Sequence, residues 1–160
     1  ILHGYLAGQA GAGAMLDLLM GRTNPSGKLA ETYPEKYEDT PAYSYYPAKE
    51  RNSDYRESIF VGYRYYDTAG EKVHYPFGYG LSYTTFRYDN LNVDPDGVSF
   101  DLTNTGKMDG AEIAQVYISA KAPTVYRPAK ELKGFAKVEL APGETKTVTL
   151  TVDARTIVLQ

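Results

Sequence analysis

The sequence predicts a mainly β protein: an immunoglobulin-like sandwich in its second half, preceded by a strand–helix–strand stretch and a long tyrosine-rich connector. Three observations carry this. Five strand-like runs follow one another from Phe86 onward, with three short turn signals among them, which is the spacing of a β-sandwich. One Ala/Leu-rich run near the N-terminus has helical composition. Thirteen of the 16 tyrosines fall between Tyr33 and Tyr88, where hydrophobic periodicity fades.

Residues 1–5 read as the tail of a buried strand. A helix is predicted over 9–20, with Ala10, Ala12, Ala14, Leu16, Leu18 and Leu19 as formers and Gly21 placed for a left-handed C-terminal cap. Gly11 and Gly13 weaken its first turn, and glycine there points to close approach of another part of the chain. Asn24-Pro25-Ser26-Gly27 is a turn, followed by a short strand over 28–33. Residues 35–72 have little periodicity and are punctuated by Pro41 and Pro47, so they read as a long ordered loop. Within it, Ile59 to Tyr66 is β-like in composition. Strands are predicted over 86–93, 98–103, 113–119, 132–140 and 145–152. Asp94-Pro95-Asp96-Gly97, Asn104-Thr105-Gly106 and Ala141-Pro142-Gly143 supply turns.

The arithmetic removes several classes of function. The 160 residues carry 17 basic and 20 acidic side chains. Cut at Ser82, the halves hold 8 basic against 10 acidic and 9 against 10, so neither has the basic excess of a nucleic-acid binder. With no cysteine there is no disulfide framework, thiolate nucleophile or cysteine-built metal site. No apolar run reaches the ~20 residues of a membrane-spanning helix. The ends lack a signal segment and stop in the apolar run Ile157-Val158-Leu159. Both ends therefore read as interior to a longer polypeptide, and the compartment stays open.

Candidate chemistry is sparse. His3 and His74 are far apart and form no metal-binding pair. Ser26 and Ser82 lack the context of an activated nucleophile. The glycines at 8, 11 and 13 miss the spacing of a dinucleotide loop. Glycoside hydrolysis needs two carboxylates flanking the scissile bond, and Asp17, Glu31, Glu57 and Asp67 are available. None sits in a setting that marks an acid or nucleophile. Glu57, beside Tyr55, is the candidate with the most distinctive surroundings, so Tyr55 and Glu57 are the substrate-binding candidates. The tyrosine cluster has two readings: rings that stack on sugar, or a half-wet seam joining two domains. Its position across the junction of the helical and β zones favours the seam.

Gly21-Arg22-Thr23-Asn24-Pro25-Ser26-Gly27-Lys28-Leu29 resembles the G-x-x-N-P-S-G-[KR]-L segment of family 3 glycoside hydrolases, the β-glucosidase family. The resemblance continues through Tyr55-x-Glu57-x-Ile59-Phe60-Val61-Gly62-Tyr63-Arg64 and Pro76-Phe77-Gly78-Tyr79-Gly80-Leu81-Ser82-Tyr83. It extends to Thr103-Asn104-Thr105-Gly106, Arg127-Pro128-x-Lys130-Glu131-Leu132-Lys133-Gly134-Phe135 and Pro142-Gly143-Glu144-Thr145. Two departures stand out: Ala10 where the family often has glutamate, and Ser58 where glycine is usual.

The resemblance implies residues 1–34 as the end of an α/β sandwich domain, 35–82 as a connector, and 83–160 as most of a fibronectin type III-like domain lacking its last strands. It implies a parent that hydrolyses β-glucosides with retention, by carboxylate attack and a glycosyl-enzyme intermediate. Both catalytic carboxylates would lie outside these 160 residues, in a TIM-like barrel and in the rest of the α/β sandwich domain. The implied partners are those domains and, through them, the β-glucoside. The reading needs no cofactor and no metal. A carbohydrate-binding or interaction module without hydrolysis is the alternative.

Overall fold

The computed structural model describes residues 1–48 and 51–152. In chain order they form helix α1 (Gly11–Leu19), strand β1 (Tyr33–Pro34), a 3-10 turn (Tyr37–Asp39), helix α2 (Tyr63–Ala69) and strand β2 (Val73–Tyr75). Strands β3 (Phe86–Asp94), β4 (Gly97–Asn104), β5 (Gly110–Ile118), β6 (Glu131–Leu140) and β7 (Thr145–Thr151) follow. The architecture is mainly β, as the sequence predicts. The expected apolar end, Ile157 to Leu159, lies outside the described residues. The chain divides into two compact units, each drawn from separated stretches. The first holds 1–27, 81–114 and 136–151; the second takes in 28–80 and 115–135.

In the first unit β3, β4 and β7 make an antiparallel sheet with β4 central. Val148 and Leu150 alternate with threonines along β7, so one face turns to the core and the other to water. On β4 the residues of one parity, Phe100, Leu102 and Asn104, are buried. Phe100, Leu102, Ala114, Leu140 and Val148 form the core cluster, with Phe86, Val98, Ala136, Val138 and Leu150 packed on it. Residues from β5 and β6, which pair in their own two-stranded sheet, thus meet residues of the three-stranded sheet, as in a sandwich.

The turns match their chemistry. At the β3–β4 turn the Asp94 carboxylate accepts from the Asp96 amide at 2.9 Å, an Asx turn. A side chain at Gly97 would meet the Leu150 carbonyl oxygen at 2.5 Å, so the close strand approach requires glycine. The register slips between Asp89 and Asn92, where Asn90 takes a positive φ of 53°.

Helix α1 lacks a side-chain N-cap. Its C-terminus is closed as the sequence predicts, with Gly21 at φ 68° and the Arg22 amide donating to the Asp17 carbonyl at 2.9 Å, a six-to-one closure. Gly11 is buried and a Cβ there would meet the Ala7 Cβ at 2.2 Å, whereas Gly13 faces open space. Close packing therefore explains the first glycine and not the second. Asn24 staples distant stretches of the unit. Its Oδ1 accepts from the Ser82 hydroxyl and the Tyr83 amide, both at 2.8 Å, and its Nδ2 donates to the Asp109 carbonyl at 2.9 Å. The Tyr83 hydroxyl donates to the Leu18 carbonyl at 2.9 Å.

Three local expectations are corrected. Residues 1–5 form no strand, and Ile1 is fully exposed. The predicted strand over 28–33 contracts to β1, which pairs with β2 at Tyr33 opposite Tyr75. Before it, Leu29 exchanges backbone bonds with the Gly78–Tyr79 turn, both at 2.8 Å, and the glycine-containing turn cannot continue a ladder. The third correction is larger. The β-like run from Ile59 to Tyr66 breaks at Gly62 and continues as helix α2, inside what the sequence read as loop. Gly62 adopts φ 55°, ψ −135°, a region open essentially to glycine. Gly70 at φ 70° then caps the helix.

Candidate functional site

The substrate-binding candidates sit in the second unit. Tyr55 is 90% exposed. Glu57 lies in the adjoining turn, half-buried, its carbonyl accepting from the Phe60 amide at 2.9 Å. The carboxylate of Glu57 is hydrogen-bonded by the Tyr45 phenol, which partial burial first, and then that bond, hold above its ordinary pKa. The Arg56 guanidinium lies over the Tyr45 ring, 5.3 Å from its centroid, and donates to Asp54 at 2.8 Å. Tyr45, Arg56, Glu57 and Asp54 are therefore brought together, while the Tyr55 ring stands apart in solvent. Stacking and hydrogen bonding are within reach of this group. Both carboxylates of the group have partners, Asp54 the arginine and Glu57 the phenol.

Ser58 holds φ 52° in this turn, where a residue with a Cβ is strained by roughly 1 kcal/mol. Ser58→Gly is expected to stabilise the turn by about 0.5–1 kcal/mol. The measurement is hydrogen exchange at the Phe60 amide, which should slow about two- to fivefold. Unchanged or faster exchange would mean that the strain is absorbed elsewhere.

The other carboxylates and histidines have ordinary surroundings. Asp17 pairs with Arg22 at 3.2 Å, Glu31 accepts from the Tyr33 hydroxyl at 3.2 Å, and Asp67 pairs with Lys130 at 3.2 Å. His3 packs edge-on against Tyr5, and His74 against Tyr75. Ser26 is half-buried, and Ser82 belongs to the Asn24 staple. Among the described residues no group of three or more His, Cys, Asp or Glu could hold a metal ion. Nor is any helix long and apolar enough to cross a membrane.

Sequence reasoning missed a second constellation in this unit, built on α2. The Tyr63 ring packs on Phe77 at 4.8 Å and edge-on against Tyr117 at 5.8 Å, and its hydroxyl accepts from the Leu132 amide at 2.8 Å. Arg64 lies over Tyr63 and 3.7 Å from Glu131, which also meets Lys133 at 3.6 Å. Lys130 reaches both Asp67 and the face of Tyr117. The Tyr117 hydroxyl donates to Gln115 at 2.6 Å, and the Gln115 amide donates to the Gly78 carbonyl at 3.2 Å. Burial, first among its causes, raises the pKa of Tyr117, so its phenol stays a neutral donor at physiological pH. This set locks α2 to residues 127–133 and offers no free acid or nucleophile. The signal was present in the sequence: Tyr-Arg-Tyr-Tyr-Asp at 63–67 and Lys-Glu-Leu-Lys at 130–133 carry complementary charges. Only the fold shows that they meet.

Comparison with known proteins gives the same picture from another side. Residues 1–83 match the glycosyl hydrolase family 3 C-terminal domain, and residues 112–158 match the fibronectin type III-like domain. The chain is 50% identical to thermostable beta-glucosidase B of Acetivibrio thermocellus over 97% of its own length and 22% of that protein's. It is 47% identical to an exo-alpha-(1->6)-L-arabinopyranosidase of Bifidobacterium breve, over 97% of this chain and 21% of the other. Among solved structures, it is similar to a family 3 beta-glucosidase of Bifidobacterium adolescentis, with TM-score 0.90 and 45% identity over 96% of this chain and 24% of that one. Beta-glucosidase 3B of Thermotoga neapolitana, solved with glucose, gives TM-score 0.87 and 44% identity over 93% and 22%. The chain thus spans about a fifth of the length of the relatives it matches.

Proposed function

The chain belongs to glycosyl hydrolase family 3, and from that premise we propose that it is the non-catalytic C-terminal part of a retaining β-glucosidase that releases terminal β-linked glucose. One observation carries the reading: likeness to solved β-glucosidases runs through nearly the whole chain, across both matched domains. The engaged state of Asp17, Glu31, Asp54, Glu57 and Asp67 supports a structural role, with both catalytic carboxylates supplied by the rest of the polypeptide. In this reading residues 1–34 end an α/β sandwich domain, 35–82 connect, and 83–160 form the fibronectin type III-like domain.

The glucose assignment draws on neighbours solved with glucose. A β-glucosidase and an arabinopyranosidase match this same stretch almost equally well, so the stretch itself does not set the sugar. The test is hydrolysis of p-nitrophenyl β-D-glucoside by the intact polypeptide, with the anomer of the first product followed by NMR. Release of β-glucose is expected. No hydrolysis, or α-glucose as first product, would overturn the reading.

The connector is further proposed to reach the substrate entrance through Tyr55 and Glu57, because Tyr55 presents an unpacked ring to solvent two positions before Glu57. Replacing Tyr45, Tyr46 and Tyr55 together by alanine in the intact enzyme should lower kcat/KM by about three- to tenfold, the worth of one lost ring contact. Unchanged kcat/KM with reduced stability would leave these tyrosines a packing role only.

A further inference from the structure

The β-like run that the sequence singled out, Ile59-Phe60-Val61, is left without a ladder and without a function. Ile59 is 50% exposed and Val61 48%. Between them Phe60 packs on Tyr126, with ring centroids 4.9 Å apart. Tyr126 is 76% exposed and its neighbour Val125 55%. The ring contact joins the two segments into one apolar surface within the second unit. None of the five residues is charged; beside 59–61 the nearest charged groups are engaged, Glu57 by Tyr45 and Arg64 by Glu131, and Arg127 stands at the rim next to Tyr126.

Its chemistry tells what it fits. A sugar platform sets aromatic rings among free hydrogen-bonding groups. Here three aliphatic side chains stand beside the rings instead, the composition of a protein contact. The exposed apolar area is on the order of 400 Å². A stable dimer needs about 800 Å² from each partner, so this patch is half what a second copy requires. It suffices for a contact within one polypeptide, where a tether supplies a high effective concentration. The relatives are about five times as long as this chain.

We propose that Ile59, Phe60, Val61, Val125 and Tyr126 form a docking patch covered by the part of the same polypeptide that precedes these 160 residues. This rests on the reading of the chain as the C-terminal part of a longer enzyme. The patch holds the connector in place from outside, while the α2 constellation holds it from within.

The experiment uses the intact polypeptide carrying I59C, V125C or the reference K72C, at an exposed position of the same unit. Maleimide labelling is followed by peptide mass spectrometry, alongside hydrolysis of p-nitrophenyl β-D-glucoside. Labelling at 59 and 125 should be at least tenfold slower than at 72, at every protein concentration. Equal rates in a hydrolytically active protein would overturn the patch and spare the enzyme reading. Absence of hydrolysis would strike the enzyme reading instead, and protection at 59 and 125 would still uphold a covered patch. Protection lost on dilution would overturn the proposal by making the occupant a second copy.

Discussion

Replacing Asn104 by alanine is expected to destabilise the first unit by about 3–5 kcal/mol. The side chain is fully buried at the end of β4 and all of its hydrogen-bonding capacity is used. Its Oδ1 accepts from the Thr84 hydroxyl at 2.6 Å and the Gly106 amide at 3.1 Å. Its Nδ2 donates to the Met108 carbonyl at 2.8 Å and the Leu140 carbonyl at 3.0 Å. Truncation strands four polar partners, each worth ~1–3 kcal/mol when left unpaired, and water entering the vacated space recovers part of this. Asn104→Asp should be no milder, since a carboxylate would face two carbonyl oxygens. Hydrogen exchange at the β4 amides of the intact polypeptide checks the result, with acceleration of roughly 10²–10⁴-fold expected. Acceleration below tenfold would mean that the network is loosely held.

Leu102→Ala, two residues earlier on the same strand face, should cost about 3–4 kcal/mol by a different route. Leu102 is fully buried among Phe100, Ala114, Leu140 and Val148. Both sheets contribute to its surroundings, so neither can collapse alone into the space, and the cavity cost adds to the transfer cost. Leu91→Ala on the exposed side of β3 is the control. That side chain is 70% exposed, so its loss should stay within about 0.5 kcal/mol. Equal effects for the two would contradict the assignment of the core. The double variant Asn104→Ala with Leu102→Ala should not be additive, because both sites relax through the same strand.

Where a physical rule acts locally, the sequence was legible. The alternation along β7, the Asx turn before β4 and the left-handed Gly21 that ends α1 are each decided within a few residues. The five strands of the sandwich were placed on that basis, with β5 beginning at Gly110, earlier than the expected residue 113. Where the rule is tertiary, legibility failed. Ile59 to Tyr66 has the β-branched and aromatic content of a strand. Yet Gly62 turns the backbone, and Tyr63 finds its partners in Phe77, Tyr117 and Leu132. Propensity loses to contacts that no window of the sequence contains. The candidate site divides the same way: Glu57 was found by its neighbours in sequence, while its partner Tyr45 comes from twelve positions earlier along an aperiodic stretch.

The Asn24 staple has a consequence for the order of events during synthesis. Its partner at Asp109 is made 85 residues later, an interval of roughly 4–17 s at the usual pace of translation. Through that interval α1, nine residues long and without a side-chain N-cap, has little stability of its own and depends on packing. Tyr83, which holds its last turn, is also still to come. Residues 1–27 therefore leave the ribosome before two of the contacts that hold them exist. Any chaperone that attends this polypeptide has a window there, which closes when Asp109, the residue before β5, emerges.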